Sequence, residues 1–347
     1  MTNIMIDGIE IGRNCKPFIV AEAGINHNGD INKALKMITV AKNAGANAIK
    51  FQTFNTNEFI LNKKLTYTYF SRGRKITKSQ YDLFKKCELT INEWKKIRDK
   101  CIKEKIIFLS TPENISDLDL LLKLGIKAIK VSSDEMINYS LLKHFSKTKL
   151  PIILSTGMSS INEIKKALET IGVKSGYPTV LLLTTSEYPT KMENVNLLKL
   201  NSLKQLFPNT LLGFSDHSQG ILASTLACAL GACFFEKHFT LSHRLDGPDH
   251  WFSMNPKELK EWIIAIRNSY SLLGSKIIQP TKIELSNRKK FRRTVVAIRN
   301  ISKNEKFNIE NIGLRRTSGR KGKDSSFFEK YLAKKANKDY KKGEAII

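Results

Sequence analysis

At 347 residues the chain exceeds the roughly 250–300 at which a single hydrophobic core stops growing, so one large and one small domain are expected. An apolar share of 41%, with Gly and Pro scattered singly, is that of a globular protein, and no stretch approaches the ~18–20 consecutive apolar residues of a membrane span. The net charge of +26 is densest from Lys282 to Glu344, with 20 Lys/Arg against 7 Asp/Glu, yet no RNP, helix-turn-helix or zinc-finger pattern accompanies it, and neither nucleic acid nor a membrane is the expected partner.

The first residues, MTNIMIDGIEIGRNCKPF, carry Asp7 and Glu10 before any apolar run, so they lack a secretory signal and the cytoplasm is the expected location. Eight runs of strand length and apolar character then follow: FIVAEA (18–23), AIKFQT (48–53), IIFLST (106–111), AIKVSS (128–133), PIILST (151–156), VLLLTT (180–185), LLGFSD (211–216) and CFFEKHF (233–239). Helical grammar lies between them. Asp30 caps a helix whose Ile31, Ala34, Leu35 and Ile38 share one face and which Gly45 ends. Thr90 with Glu93, Ser160 with Glu163 and Asn255 with Glu258 have the spacing of capping boxes. Strands that alternate with helices pair in parallel through right-handed crossovers, and near-continuous apolar runs mean sheets buried on both faces. Eight such units predict an α/β fold of the (β/α)8 TIM-barrel type over residues 1–274; an open doubly wound sheet is the competitor, but the first turn, EAGINHNGD, lacks the dinucleotide glycine pattern.

The stretch from Phe54 to Glu88, with Tyr67, Tyr69, Phe70, Arg72 and Arg74, is too long for an ordinary connection and reads as a lid. Residues 275–290 read as a polar linker to a second domain at 291–347, where NISKNEKF (300–307) and DYKKGEAI (339–346) repeat one pattern and imply a small, turn-rich β module. The five cysteines are odd in number and form no CxxC pair, so neither zinc nor disulfides are expected.

In a barrel of this kind the active site gathers at the C-terminal ends of the strands. Here those ends are polar: Glu22; Lys50 and Gln52; Ser110 and Thr111; Lys130, Ser132, Ser133 and Glu135; Ser155 and Thr156; Thr185 and Ser186; Ser215, Asp216 and His217; Glu236 and His238. Lys50 and Lys130 interrupt apolar strands, where an unpaired ammonium costs several kcal/mol, so each needs an anion. That anion is either an internal carboxylate, Glu22, Glu135 or Glu236, or a substrate phosphate or carboxylate flanked by the hydroxyls of Thr111, Ser133, Ser155 and Ser215. His217 and His238 end neighbouring strands, with Asp216, Glu236 and Asp249 nearby, as a divalent metal would require, the remaining positions falling to water and substrate. Glu135 is the candidate for general acid and base work.

The ordered series AEAGINHNGD, KFQT, FLSTPE, KVSSDE, ILSTGM, SEYPT, GFSDHSQG, EKHFT and GPDHWFS resembles the sialic acid synthase family, which includes N-acetylneuraminate, legionaminate and pseudaminate synthases; RTVVAIRNISKNEKF with DYKKGEAI resembles that family's antifreeze-like (SAF, β-clip) domain. The resemblance implies condensation of phosphoenolpyruvate with an N-acetylated mannose-type sugar to a nine-carbon 2-keto acid and phosphate, assisted by Mn²⁺ or by Mg²⁺ or Co²⁺ in its place. By resemblance His217 and His238 hold the metal; Lys50, Thr111, Lys130, Ser133, Ser155, Ser186 and Ser215 bind phosphoenolpyruvate; Glu22 and Glu135 lie by the reacting atoms, Glu135 as proton shuttle; and Gln52, Tyr188 and Asp249 contact the sugar. It also implies a domain-swapped homodimer in which Arg316 closes the partner's barrel. The chain departs from the family pattern at Glu113, where a Phe is usual, and at LRRTSG, which replaces Arg-Pro-Gly; Arg292, SEYPT and GPDHWFS lean toward the legionaminate branch. Two other readings stand beside this one: a different phosphoenolpyruvate-dependent aldol-type synthase acting on a phosphorylated sugar, and a basic nucleic-acid-binding protein on a degenerate barrel.

Overall fold

A computed structural model of the chain describes residues 3–317 and 322–347. It divides into two compact units, Met1–Gly274 and Ser275–Ile347.

In the first unit eight parallel strands match the eight apolar runs: β1 Phe18–Gly24, β2 Ala48–Thr53, β3 Ile107–Pro112, β4 Ile129–Val131, β5 Ile152–Ser155, β6 Thr179–Leu183, β7 Leu211–Asp216 and β8 Phe234–His238. They pair in the order β3-β2-β1-β8-β7-β6-β5-β4, and the two end strands, β3 and β4, pack together so that the sheet curls into a near-closed barrel. Eight helices follow the strands: α1 Ile31–Ala44, α2 Ile91–Glu104, α3 Ile115–Lys123, α4 Tyr139–Lys147, α5 Ile161–Ile171, α6 Lys199–Leu206, α7 Leu222–Ala229 and α8 Pro256–Leu273. Their starts are chemically specified. Asp30 accepts from the amides of Asn32 and Lys33, and full capping boxes form at Thr90/Glu93, Ser160/Glu163 and Asn255/Glu258.

The two-residue period of each strand sorts its side chains. Ile19, Ala21, Ile49, Phe51, Ile152, Leu154, Leu181 and Phe235 face outward and pack under the helices. Phe18, Val20, Ala48, Ile107, Leu109, Ile153, Val180, Leu182, Leu211 and Phe234 fill the barrel interior. Each such side chain contributes about 1.5–3 kcal/mol of burial. The same inward parity, continued up the strands, reaches Glu22, Lys50, Thr111, Lys130, Ser155, Ser215 and Glu236, so the period that builds the core also aims the polar groups at one mouth. At the opposite end a hairpin, Ile4–Ile6 with Ile9–Ile11, turns through the left-handed pair Asp7 and Gly8 and adds Ile4, Ile6 and Ile11 to the interior cluster. It plugs the barrel floor.

The segment read as a lid is largely a second hairpin, Thr66–Ser71 with Arg74–Ser79, turning at Arg72 and Gly73. It is fastened to the loop after β8: Arg72 Nε lies 2.9 Å from Asp246 Oδ1 and donates at 2.9 Å to the Arg244 carbonyl, and Phe70 packs on Trp251 with ring centroids 5.6 Å apart. Among the described residues no helix is long and apolar enough to cross a membrane, and all five cysteines are free.

The second unit opens with a helix, Lys282–Phe291, where the polar composition reads as linker; Thr281 and Glu284 form its capping box. An antiparallel pair follows, Thr294–Ala297 with Ile312–Arg315, over a small core of Val295, Ile301, Phe307, Ile312, Tyr331, Tyr340 and Ile346. The two sequence repeats are stitched to each other by reciprocal bonds. Ile301 and Tyr340 exchange both backbone hydrogen bonds at 2.9 Å; the Lys303 amide donates to Asp339 Oδ1 and the Lys342 amide to Asn300 Oδ1. Glu305 accepts from the Ser302 amide as Glu344 accepts from that of Lys341, and Asn304 and Gly343 occupy matching left-handed positions. Arg316 stacks over Phe291 within this unit, 5.6 Å from the ring centroid; Ser318 and Gly319 of LRRTSG lie outside the described residues.

Candidate active site

The floor of the mouth is a buried charge network. Lys50 Nζ lies 3.1 Å from Glu22 Oε2 and 3.3 Å from Glu236 Oε2, and donates to Thr111 Oγ1 at 3.2 Å. Lys130 Nζ is 3.8 Å from Glu236 Oε1 and donates to Ser155 Oγ at 2.7 Å. Ser215 Oγ donates to Glu236 Oε1 at 3.1 Å. Both lysines therefore have internal carboxylate partners, and Glu236 is shared between them. All four ionisable side chains are at most 4% exposed.

Their protonation follows from burial and shared charge. Burial, reinforced by Glu236, pushes the Glu22 carboxyl up to about 8 against the opposing pull of Lys50. For Glu236 burial acts upward too, but Lys130 and Lys50 outweigh it and hold the carboxyl well below the usual range. Burial lowers Lys130 to about 8. Glu236 is thus the carboxyl held ionised between the lysines, whereas Glu22 is pushed toward its protonated form, so the two carboxyls do not offset the two cations equally.

Above this floor stand the two histidines. Their ring centroids are 5.5 Å apart, and Tyr188 lies against both, 4.2 Å from His217 and 5.8 Å from His238. His217 Nδ1 donates to the Thr185 carbonyl at 2.8 Å, which leaves the lone pair on Nε2. Burial drives His217 down to about 4 and His238 well below the usual histidine range, so both rings are neutral. His238 Nδ1 is buried without a hydrogen-bond partner and lies 3.9 Å from Asp249 Oδ2, whose carboxyl burial raises to about 7. Neutral imidazoles with a free lone pair are the form that binds a divalent metal, and the orphaned Nδ1 is an atom such an ion could satisfy. Among the described residues no group of three or more His, Cys, Asp or Glu forms a closed cage, so any ion here would take its other ligands from water or substrate.

The remaining predicted residues divide into groups. Ser133 and Ser186 converge on Gly157, whose amide donates to Ser133 Oγ at 3.1 Å; a Cβ on Gly157 would stand 2.4 Å from Ser186 Oγ and 2.6 Å from Ser133 Oγ. Gly157→Ala is expected to turn both hydroxyls away and raise the KM for an anionic substrate about tenfold, with thermal stability nearly unchanged; steady-state kinetics beside a melting curve checks it. Gln52 lies opposite Thr111 in the β2–β3 register. Glu135 is half-buried on the rim, with its Oε2 accepting from Asn138 at 2.7 Å, apart from the floor network. Asp216, counted among the nearby carboxylates, belongs to the wall: it pairs with Lys237 at 2.8 Å and accepts from Ser218 and Ser224. Sequence reasoning gave no role to Glu113, a buried acid beyond β3, or to Asn26, which ties the loop after β1 to the Phe239 carbonyl and Ser253.

Eight parallel strands presenting buried cations, hydroxyls and paired imidazoles at their C-terminal ends define a protein of the TIM-barrel class with a polar site at the barrel mouth. Its residues 37–278 match the NeuB family model, and the chain belongs to that family. It is 40% identical to the N,N'-diacetyllegionaminic acid synthase of Campylobacter jejuni, over 95% of this chain and 99% of the relative. It is 36% identical to the pseudaminic acid synthase of the same species, over 95% of each. The solved N-acetylneuraminic acid synthetase of Leptospira borgpetersenii, in complex with citrate, superposes with a TM-score of 0.74 at 33% identity, covering 84% of this chain and 97% of that one.

Proposed function

We propose that the protein condenses phosphoenolpyruvate with an open-chain N-acetylated mannose-type sugar, of legionaminate or N-acetylneuraminate type, to give a nine-carbon 2-keto acid and phosphate. The observation that carries this reading is the lysine- and hydroxyl-lined floor beneath two imidazoles, in a chain whose relatives bear the names of sugar-acid synthases. In the reaction C3 of phosphoenolpyruvate bonds to the aldehyde carbon, the aldehyde oxygen gains a proton, water adds at C2 and phosphate leaves that carbon.

Lys50 and Lys130, with Thr111, Ser155 and Ser215, hold the anionic substrate on the floor, while Ser133, Ser186 and the Gly157 turn line the adjoining rim. Glu22, pushed by burial toward its protonated form, is the acid beside Lys50, and Glu135 is the rim carboxylate. Gln52, Tyr188 and Asp249 face the sugar. His217 and His238 would hold a divalent ion, Mn²⁺ foremost, which when bound supplies Lewis acidity toward the aldehyde. Arg316 completes the site from the second subunit of a domain-swapped homodimer, the second unit being of the antifreeze-like class.

Phosphate release is expected only when phosphoenolpyruvate, a divalent metal and a 2-acetamido sugar are all present, and chelation should abolish it. Turnover on arabinose 5-phosphate instead would favour the alternative aldol-type synthase. A rate indifferent to chelator would remove the metal from the scheme.

A further inference from the structure

Glu113 has no assigned part in the scheme above, yet its placement is that of a ligand-facing group. It is the residue after β3, two beyond Thr111, and Asp134, Glu135 and Lys50 all act on its carboxyl. Its side chain is 8% exposed, and Oε2 is buried with no hydrogen-bond partner. The backbone there is fixed on both sides. The Glu113 amide donates to the Thr53 carbonyl at the end of β2, and the next amide, of Asn114, donates to Asp117 at 2.9 Å at the start of α3. A carboxyl held this firmly and left unpaired is costly unless something else supplies its bond.

Resting on the proposed condensation, we propose that Glu113 is a specificity-determining residue which hydrogen-bonds an uncharged hydroxyl or amide substituent of the acceptor sugar. Asp134 and Glu135 act on Glu113 from this β3–β4 side of the mouth, and Lys50, itself engaged on the floor with Glu22 and Glu236, opposes them. The anionic substrate is thereby directed to the floor and the neutral polyol to the β3–β4 side. Burial first, then the charges of Asp134 and Glu135 against that of Lys50, hold the Glu113 carboxyl well above the usual carboxylate range, so it meets the sugar as a neutral group able to donate as well as accept.

The test is steady-state kinetics of the full-length protein, charged with Mn²⁺, on N-acetylmannosamine, a 2,4-diacetamido sugar and their ring-deoxy analogues. Glu113→Gln, which keeps a neutral donor and acceptor, is expected to stay within about threefold of the wild type in kcat/KM for the preferred sugar. Glu113→Leu should raise the sugar KM by roughly 10- to 100-fold, leave the phosphoenolpyruvate KM unchanged, and lose discrimination against one particular deoxy analogue. Thermal stabilisation of each variant by phosphoenolpyruvate reports that the site is folded. A Glu113→Leu protein with an unaltered sugar KM and intact discrimination overturns the assignment, as it would if Oε2 merely binds an internal water. A wild type that releases no phosphate with any sugar overturns the condensation itself and this assignment with it; a wild type that turns over beside an indifferent Glu113→Leu overturns the assignment alone.

Discussion

Replacing Lys50 with methionine is expected to abolish turnover and to lower the unfolding free energy by about 3–5 kcal/mol, the usual cost of removing one partner from a buried ion pair. Lys50 is the only cation within 3.3 Å of both Glu22 and Glu236 in the described network, and it is 4% exposed, so no solvent can take its place. Burial pushes Glu22 toward its protonated form, so the deficit falls mainly on Glu236, which would keep Lys130 at 3.8 Å and the Ser215 hydroxyl. Urea melts of the variant beside the wild type read this out. A loss under about 1 kcal/mol in the single variant would mean that Lys50 neutralises no buried charge.

His217→Ala is the second substitution with a large expected effect. It removes a neutral imidazole whose Nδ1 is anchored on the Thr185 carbonyl and whose Nε2 faces the mouth. Mn²⁺ affinity, read by electron paramagnetic resonance, and turnover should fall together by more than about a hundredfold, because ligand loss exceeds the 10–100-fold typical of losing an outer partner. The phosphoenolpyruvate-dependent rise in melting temperature should persist, since the proposed anion contacts lie on β2, β3, β4, β5 and β7. Full activity, or an unchanged metal affinity, would count heavily against the metal role of the two rings.

Much of this site was legible because the strand period is two and the barrel interior is dry. Once Val20, Ala48, Leu109 and Ser215 are read as inward, Glu22, Lys50 and Thr111 follow by parity, and each apolar run ends within two residues of its observed strand end. What the sequence left open was which anion answers the lysines. Glu22 answers Lys50, and Glu236, brought there by the pairing of β8 with β1, answers both lysines. Glu135 followed a strand so short, Ile129–Val131, that parity no longer constrains the chain at its position, and Asn138 draws its carboxylate along the rim. Two local signals were present but outweighed by composition: the T-x-x-E box that starts the Lys282–Phe291 helix, and the alternation of TYTYFS and RKITKS around Arg-Gly that forms the hairpin over residues 66–79. In both, exposed polar residues masked a regular backbone.

The reciprocal stitching of the second unit bears on how it folds. The turn at Asn300–Glu305 takes two of its bonds from Tyr340 and Asp339, and the turn at Asp339–Glu344 takes two from Ile301 and Asn300. Neither turn is complete until the chain has closed a long loop, so loop entropy is spent before any of these bonds is gained. Loss of the final residues would strip these bonds from a turn that begins nearly forty positions earlier. Damage at the end of the unit is thereby felt near its start: the two turns are held as a pair.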